Sequence, residues 1–385
     1  MLPIKPLSLL LCLCLLLSAL PAFAGQVDVD QQVDKYLKGA KTVGGSVVVM
    51  RAGRLVYARD YGYKNLRAKA PVDENTYFKS ASITKMVTGI GLMRLVDEGK
   101  LDLDADISDY FGYRIGNPYY PNIPLTLRQL MSHTASISES GGFSNLRNGI
   151  KDMLPLSLNR RGNFYKTEPG SSYKYSNFGA GIAGAIMEAV TQQSVNAYMT
   201  EAIFAPLDLG AAYAAAMVPN PDDVSSQYLN GALHRAAAGQ IKQGYEDHAD
   251  PDMHYRTTAG DLWIRSRDLA KLAAVLAGDG SLEGGQVLSE ESVQMMRLEQ
   301  NSLNLSVTGE SPYGLFLEHN DDILKGKTVY GHQGMGSGAI LNVYFEPESE
   351  FVFVLMSNGG SMVRQNRVGV LAHNLINYLY PLFGQ

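Results

Sequence analysis

The sequence predicts a mixed α/β (α+β) fold, in which the N- and C-terminal segments build one antiparallel sheet flanked by helices, with a mostly helical insertion. Two observations indicate this arrangement: strand-like hairpins lie near both ends of the 385-residue chain, and the middle contains mostly loops and helical patterns. A third is that apolar residues with helical spacing lie outside each hairpin. Because an isolated hairpin is only marginally stable in water, the two hairpins are expected to share one sheet covered by these helices.

The first hairpin consists of residues 44–50 (GGSVVVM) and 55–61 (LVYARDY), which flank a tight Ala-Gly turn. The second consists of residues 339–345 (AILNVYF) and 351–356 (FVFVLM), which flank a polar turn. The apolar residues with helical spacing are Val29, Val33 and Leu37 before the first hairpin and Val368, Leu371, Leu375, Ile376 and Leu379 after the second.

These segments define one predicted domain with two parts. The helical pattern begins soon after the first hairpin and continues to about residue 302. The predicted domain covers residues 25–385, with a sheet subdomain at about 25–75 and 305–385 and a helical subdomain at about 76–304.

The first 24 residues predict a secretory signal peptide. Lys5 gives a weakly positive start, residues 7–20 are mostly apolar, and a small-x-small cleavage site ends at Ala24. The mature protein would be exported, to the periplasm or outside the cell. The alternative is an uncleaved membrane anchor, but Pro21 disfavours a continuous membrane-spanning helix. Both cysteines lie in this segment, so the mature chain would have no disulfide and no thiol nucleophile.

Charge and composition exclude several partners. The formal charge of −5 and the absence of a basic cluster argue against nucleic acid. No second apolar stretch reaches membrane length, so the mature chain is expected to have no integral span. About 360 residues remain after cleavage, which is enough for one large hydrophobic core. The sequence leaves the oligomeric state open.

The segment 78–89 (FKSASITKMVTG) carries the first chemical motif. Ser82 and Lys85 are three residues apart, so on a helix they lie on one face. The helix that follows is apolar nearly all round, which disfavours the charged form of a lysine held there. A neutral amine beside a hydroxyl can act as a base. The alternative is a serine at a helix start with a lysine that extends to solvent. A second match, Ser171 to Lys174, is assigned to a polar loop because it follows a Pro-Gly turn.

Two further motifs are weak individually. Tyr175-Ser176-Asn177 leads into an apolar helical stretch, where a phenol and an amide could face a cleft. His332-Gln333-Gly334 lies in the glycine-rich segment 331–339, just before a predicted strand. The alternative for the His332 motif is a glycine-rich start of a strand with an exposed histidine.

Competing chemistries lack their sequence signatures. The Gly-x-Ser-x-Gly elbow, the phosphate-binding loop and the His-Glu-x-x-His zinc motif are absent from the sequence. The segment 246–254 (EDHADPDMH) has ligand types that suit a divalent metal, but a solvated polar loop is the commoner structure for such a stretch. We therefore predict no metal site.

Ser82-x-x-Lys85, Tyr175-x-Asn177 and His332-x-Gly334 occur in the order and spacing of a known family. The chain resembles the penicillin-binding-protein-like serine hydrolases related to class C β-lactamases, which include D-alanyl-D-alanine carboxypeptidases, D-aminopeptidases and carboxylesterases. The resemblance extends from about residue 40 to 380 and includes the stretches 92–111 and 125–137. It implies a β-lactamase-like fold, no cofactor, and a small-molecule or peptidoglycan-peptide substrate.

The resemblance also implies roles for individual residues. Ser82 would be the acylated nucleophile, and Lys85 and Tyr175 would transfer protons, each with a lowered pKa. Asn177, His332 and Gly334 would contribute to substrate binding. The oxyanion hole would consist of the backbone N–H groups of Ser82 and Met335.

One departure from the family bears on the substrate. Class C β-lactamases usually have Lys-Thr-Gly where this chain has His332-Gln333-Gly334. An unperturbed histidine is mostly neutral at pH 7, so it offers no fixed positive charge to a substrate carboxylate. In having a histidine at this position, the chain is more similar to the carboxypeptidase, aminopeptidase and esterase members of the family.

The leading hypothesis is therefore an exported serine hydrolase that forms an acyl-enzyme on Ser82 and acts on D-amino-acid peptides or small esters. A carboxylesterase or a class C-like β-lactamase is the alternative within the enzyme class. A non-catalytic penicillin-binding or peptidoglycan-sensing protein is the alternative from a different class, since fold alone does not determine function.

Overall fold

The computed structural model describes residues 28–300, 312–365 and 368–385 of the chain. The predicted signal peptide lies outside the described residues. Within the described ranges, no helix combines the length and the apolar character needed to cross a membrane.

Most of the helices lie in the middle of the chain, whereas the long strands lie near its two ends. The helices are α1 (28–39), α2 (Ile83–Asp97), α3 (Ser108–Phe111), α4 (Leu127–Met131), α5 (Ile150–Met153), α6 (Asn177–Thr191), α7 (Val195–Met199), α8 (Ala237–Ile241), α9 (Thr257–Gly260), α10 (Ser266–Ala277), α11 (Glu290–Arg297) and α12 (Val370–Phe383). The strands are β1 (Gly44–Arg51), β2 (Arg54–Asn65), β3 (Ala70–Pro71), β4 (Tyr77–Lys79), β5 (Ala211–Ala212), β6 (Gln227–Leu229), β7 (Ala232–Arg235), β8 (Trp263–Arg265), β9 (Ser281–Leu282), β10 (Gly285–Gln286), β11 (Glu318–Leu324), β12 (Lys327–Gly336), β13 (Ala339–Glu346), β14 (Phe351–Ser357), β15 (Arg364–Gln365) and β16 (Val368–Gly369). Short 3₁₀ or π turns cover Leu156–Leu158, Arg161–Asn163, Thr200–Phe204, Ala215–Met217, Pro221–Asp223 and His254–Arg256.

The main sheet has seven antiparallel strands in the order β11-β12-β13-β14-β1-β2-β3. Strands β1 and β14 pair directly, from Gly45 opposite Ser357 to Arg51 opposite Phe351. The prediction that the two hairpins share one sheet is therefore confirmed. Apart from Arg51, both strands are buried on both faces, which explains why their sequences are mostly apolar.

The two faces of the sheet pack against different helices. On one face, Val47 and Val49 join a cluster with residues of α1 and α12, as the apolar patterns outside the hairpins predict. On the other face, Val48 and Met50 join the larger cluster of the helical region. Helix α10, from the middle of the chain, packs against β1, β13 and β14 on this second face. The sheet is thus covered by helices from both ends and from the insertion.

A small sheet connects the insertion to the start of α2. Strands β4 and β5 both pair with β8, and the Ser80 N–H donates to the Leu262 carbonyl at 2.8 Å. Helix α2 has 12 buried residues out of 15, so it is the core helix that its composition predicts. These contacts place the residues before β8 beside the first turn of α2.

Candidate active site

Ser82 lies at the N-terminus of α2 with helical φ and ψ angles, and its side chain does not cap the helix. The alternative of a capping serine is therefore not the observed arrangement. The preceding residue, Ala81, has a φ of 47°, a left-handed conformation that is unfavourable for a residue with a side chain. Such local strain is common next to functional groups, and in this protein it turns the chain from β4 into α2.

Lys85 is fully buried one turn after Ser82. Its Nζ donates to Ser82 Oγ at 3.3 Å, to Asn177 Oδ1 at 2.9 Å and to the Ala259 carbonyl at 2.7 Å. Burial lowers the pKa of Lys85 to about 7, although the carboxylates of Glu139 and Glu318 act in the opposite direction. At neutral pH the amine is therefore close to half deprotonated, and it contacts the hydroxyl that it could deprotonate.

Tyr175 precedes α6 and faces the same lysine. The Lys85 Nζ lies 4.9 Å from the centre of the Tyr175 ring, and the phenol lies near the Ser82 side chain. Burial raises the pKa of Tyr175, and the nearby Ser82 side chain opposes this only partly. The prediction of a lowered pKa is thus correct for Lys85 and wrong for Tyr175, because desolvation disfavours a phenolate just as it disfavours an ammonium.

Asn177 is the first residue of α6, and a side chain distant in sequence fixes its position. Ser176 caps the helix by accepting from the Gly179 N–H at 2.9 Å. Glu139 Oε1 accepts from the Asn177 N–H at 2.5 Å. No sequence motif indicates Glu139, since it lies 38 residues before the helix that it contacts.

His133 is a second site residue that no sequence motif indicates. Its buried imidazole lies 4.4 Å from the Tyr175 ring and 5.0 Å from the Tyr313 ring, measured between centroids. Its Nδ1 accepts from the Ser176 N–H at 3.3 Å, and its carbonyl accepts from the Lys174 N–H at 2.8 Å. Burial holds the pKa of His133 well below its usual range, and nearby Lys85 adds to this effect. A neutral His133 therefore supports the loop that carries Tyr175.

His332 is placed differently from the expectation. It is only 1 % exposed, its Nε2 is 3.0 Å from the Tyr313 hydroxyl, and its Nδ1 is 2.6 Å from the Gln333 carbonyl. Burial lowers its pKa, against the opposing effect of Glu318. His332 is thus buried with internal contacts and a lowered pKa, and its assignment to substrate binding stays a prediction.

Gly334 and Met335 follow on β12, next to the segment that precedes Ser82. A Cβ on Gly334 would lie 2.6 Å from the Ser80 carbonyl, so only glycine allows this close approach. Met335 is 53 % exposed. With Ser82 and Asn177 it lines a cleft of about 660 Å³ between the main sheet and the helical region. The structure thus brings the three motifs together.

The acidic segment 246–254 has structural contacts. The buried Glu188 carboxylate accepts from the Asp250 N–H at 2.8 Å and lies 3.3 Å from His254 Nδ1. Asp252 accepts from the Lys151 N–H at 2.8 Å. In the part of the chain that the structure describes, no three histidine or carboxylate side chains are grouped to hold a metal ion.

A profile of the beta-lactamase family matches residues 29–374. The chain belongs to the beta-lactamase family. Among curated relatives, Esterase EstB from Burkholderia gladioli is 29 % identical over 195 residues, which are 47 % of this chain and 49 % of the esterase. The matches span less than half the length of the curated relatives.

Solved structures of the beta-lactamase fold cover more of the chain. The octameric penicillin-binding protein homologue from Pyrococcus abyssi superimposes with a TM-score of 0.70 at 23 % identity, over 92 % of this chain and 77 % of that protein. The D-amino acid amidase from Ochrobactrum anthropi SV3, complexed with L-phenylalanine, gives a TM-score of 0.69 at 18 % identity, over 92 % and 99 %. These similarities confirm the predicted antiparallel sheet flanked by helices.

Proposed function

We propose that this member of the beta-lactamase family is a serine hydrolase that forms an acyl-enzyme on Ser82 and acts on D-amino-acid peptides or small esters. The observation that carries the proposal is the contact of 3.3 Å between Lys85 Nζ and Ser82 Oγ. The pKa of Lys85 is lowered to about 7, so the amine is a competent base where an ordinary lysine would be fully charged.

The proton transfers follow from the two pKa shifts. Neutral Lys85 takes the Ser82 proton while Oγ bonds to the acyl carbon and the carbonyl electron pair moves onto oxygen. Tyr175, whose pKa is raised, stays protonated near Ser82, so it is placed to donate a proton to the leaving group. As the C–O or C–N bond breaks, Lys85 returns the proton to the phenol. Water then attacks the ester by the same path and releases Ser82.

The backbone N–H groups of Ser82 and Met335 are proposed to stabilise the oxyanion. Both residues line the cleft, and both lie beside the close contact between Gly334 and Ser80. A donor of this kind contributes roughly 3 kcal/mol to the transition state. The Asn177 amide, which is bonded to Lys85, is proposed to orient the substrate.

The substrate class rests on similarity together with the site. Similar proteins include an esterase, a D-amino acid amidase and a penicillin-binding protein homologue. A class C-like β-lactamase is less well supported, because His332 is buried and neutral where those enzymes have a lysine. Export to the periplasm or beyond is part of the proposal and rests on residues 1–24 alone. The division into sheet and helical subdomains likewise stays a prediction.

The proposal predicts a large difference between two serines with the same local pattern. Ser82→Ala should lower the turnover of a nitrophenyl ester by about 10⁴-fold or more, because the nucleophile is lost. Ser171→Ala is the matched control, since Ser171 is exposed and only bonds the Glu168 carbonyl, and it should keep full activity. Undiminished turnover by purified Ser82→Ala would refute the acyl-enzyme.

Intact mass measurement with benzylpenicillin then sharpens the substrate class. A lasting adduct on Ser82 would support a peptidase that deacylates slowly. Consumption of the drug without an adduct would instead identify a β-lactamase and contradict the weight given to His332. Intact drug and unmodified protein would favour an esterase or amidase, which a D-alanyl-D-alanine peptide and a nitrophenyl ester would separate.

A further inference from the structure

The charges at the cleft are not balanced. Lys79, Arg235 and Arg256 line it together with a single carboxylate, that of Asp261. The cleft therefore has two positive charges in excess, without counting His234, in a protein whose formal charge is −5. An excess of one sign in a cleft favours ligands of the other sign.

Arg235 is the one of these cations that is available to a ligand. Lys79 is paired with Asp261 at 2.7 Å. The guanidinium of Arg256 donates to the Phe143 carbonyl at 2.7 Å and to the Asn145 carbonyl at 2.8 Å. Arg235 is exposed and has no ion pair with any carboxylate in the described ranges.

The hairpin of β6 and β7 holds Arg235 in a fixed place. Tyr228, on strand β6 of this hairpin, is buried. Its N–H donates to the Asn358 carbonyl at 2.8 Å, next to the main sheet. The Tyr228 hydroxyl accepts from the Leu66 N–H at 2.8 Å. Arg235 lies at the base of this hairpin, directly opposite Gln227. The position of the arginine backbone is therefore set by the main sheet rather than by a free loop.

Gln227, which lies opposite Arg235, contributes a second polar group to the same side of the cleft. It is only 5 % exposed, lines the cleft, and its Oε1 is buried without a hydrogen-bond partner among the residues described. A buried acceptor without a donor is costly, so a ligand N–H at this point would be favourable. Gln227 and Arg235 thus place an unsatisfied acceptor and a cation on adjacent strands beside the cleft.

We propose that Gln227 and Arg235 form a subsite for a carboxylate that is next to an amide N–H, as in the C-terminal residue of a peptide. The Arg235 guanidinium would bind the carboxylate through its paired N–H groups, and Gln227 Oε1 would accept from the amide. In this proposal the substrate carboxylate binds at the β6–β7 hairpin and not at the buried His332. The inference deepens the proposed function, on which its kinetic test rests.

The kinetic test compares two acetate esters, 3-carboxyphenyl acetate and phenyl acetate, whose leaving groups differ by a carboxylate. Arg235→Gln should lower the ratio of their kcat/KM values, carboxyphenyl ester to phenyl ester, by about tenfold, and high salt should lower the wild-type ratio in the same direction. Arg54→Gln, at an exposed arginine outside the cleft, is the control and should leave the ratio unchanged. An unchanged ratio in Arg235→Gln would overturn the proposal.

A binding test separates this inference from the proposed chemistry. Calorimetry with the Ser82→Ala protein requires no turnover and compares N-acetyl-D-alanine with its methylamide and with O-acetyl-D-lactate. Preference for the carboxylate over the methylamide should disappear with Arg235→Gln, and preference for N–H over ester oxygen should disappear with Gln227→Leu. Binding with these losses, together with a wild-type protein that cleaves no ester, would support the subsite and refute the hydrolase. Equal binding of all three ligands would refute the subsite.

Discussion

Two segments of this chain carry the same Ser-x-x-Lys pattern, and the fold places them in opposite environments. Ser82 and Lys85 begin a buried helix, and the amine is fully enclosed by Asn177, Ala259 and Tyr175. Ser171 is exposed and donates to the Glu168 carbonyl at 2.6 Å, in a loop without helical structure. The pattern supplies the two functional groups, but the environment decides their chemistry, because burial lowers the pKa of Lys85 to about 7.

The largest effect expected from this comparison is at the two lysines. Lys85→Met should lower kcat/KM about 10³-fold, because a positioned general base is lost. The same substitution should leave the protein at least as stable as wild type, because a buried amine is replaced by an apolar side chain. Lys174→Met is the matched control and should change activity little. Ester hydrolysis and thermal denaturation measure both effects, and full activity in Lys85→Met would show that burial of the amine has no catalytic role.

The pH profile sharpens the comparison further. Since the reactive form of Lys85 is the neutral amine, kcat/KM should rise about tenfold per pH unit below the pKa of about 7 and level off above it. The folded protein also binds this proton less tightly than the unfolded chain, whose lysine has its ordinary pKa. The free energy of unfolding should therefore increase between pH 7 and pH 10, and this increase should be smaller in Lys85→Met. A rate that is flat from pH 5 to 9 would contradict the assignment of Lys85 as base.

The smallest expected effect concerns the strand that supports the Ser82 segment. Gly334→Ala would place a Cβ 2.6 Å from the Ser80 carbonyl and should destabilise the fold by about 1–3 kcal/mol. Gly336→Ala on the same strand is the control for stability, because its Cβ would make an ordinary contact of 3.9 Å with Ala81. Urea unfolding of both variants measures the difference, and equal stabilities would show that β12 does not constrain this segment.

The fold was largely predictable because its main features are local patterns. Two apolar hairpins and two helical patterns outside them are visible in short windows, and the pairing of β1 with β14 follows from the instability of isolated hairpins. The packing of α10 against the sheet was not predictable, since its apolar face fits a helical bundle equally well.

The site was predictable only in part, for a related reason. The spacing of Ser82 and Lys85 is a helical property, but the carbonyl of Ala259 reaches the amine from 174 residues away. His133 contacts Tyr175 and supports Ser176 through a fold-dependent approach, and no local signal distinguishes it from an ordinary core histidine. His332 is the opposite case, because its motif is visible in the sequence while its burial beside Tyr313 depends on the fold.

The pairing of β1 with β14 also bears on when the protein becomes reactive. Strands at residues 44–51 and 351–357 must meet across nearly the whole chain, and contacts of such high sequence separation form slowly. The cleft beside Ser82 also needs the C-terminal part of the chain, because Met335 of β12 lines it. The proposed site is thus complete only after the C-terminal strands have been made.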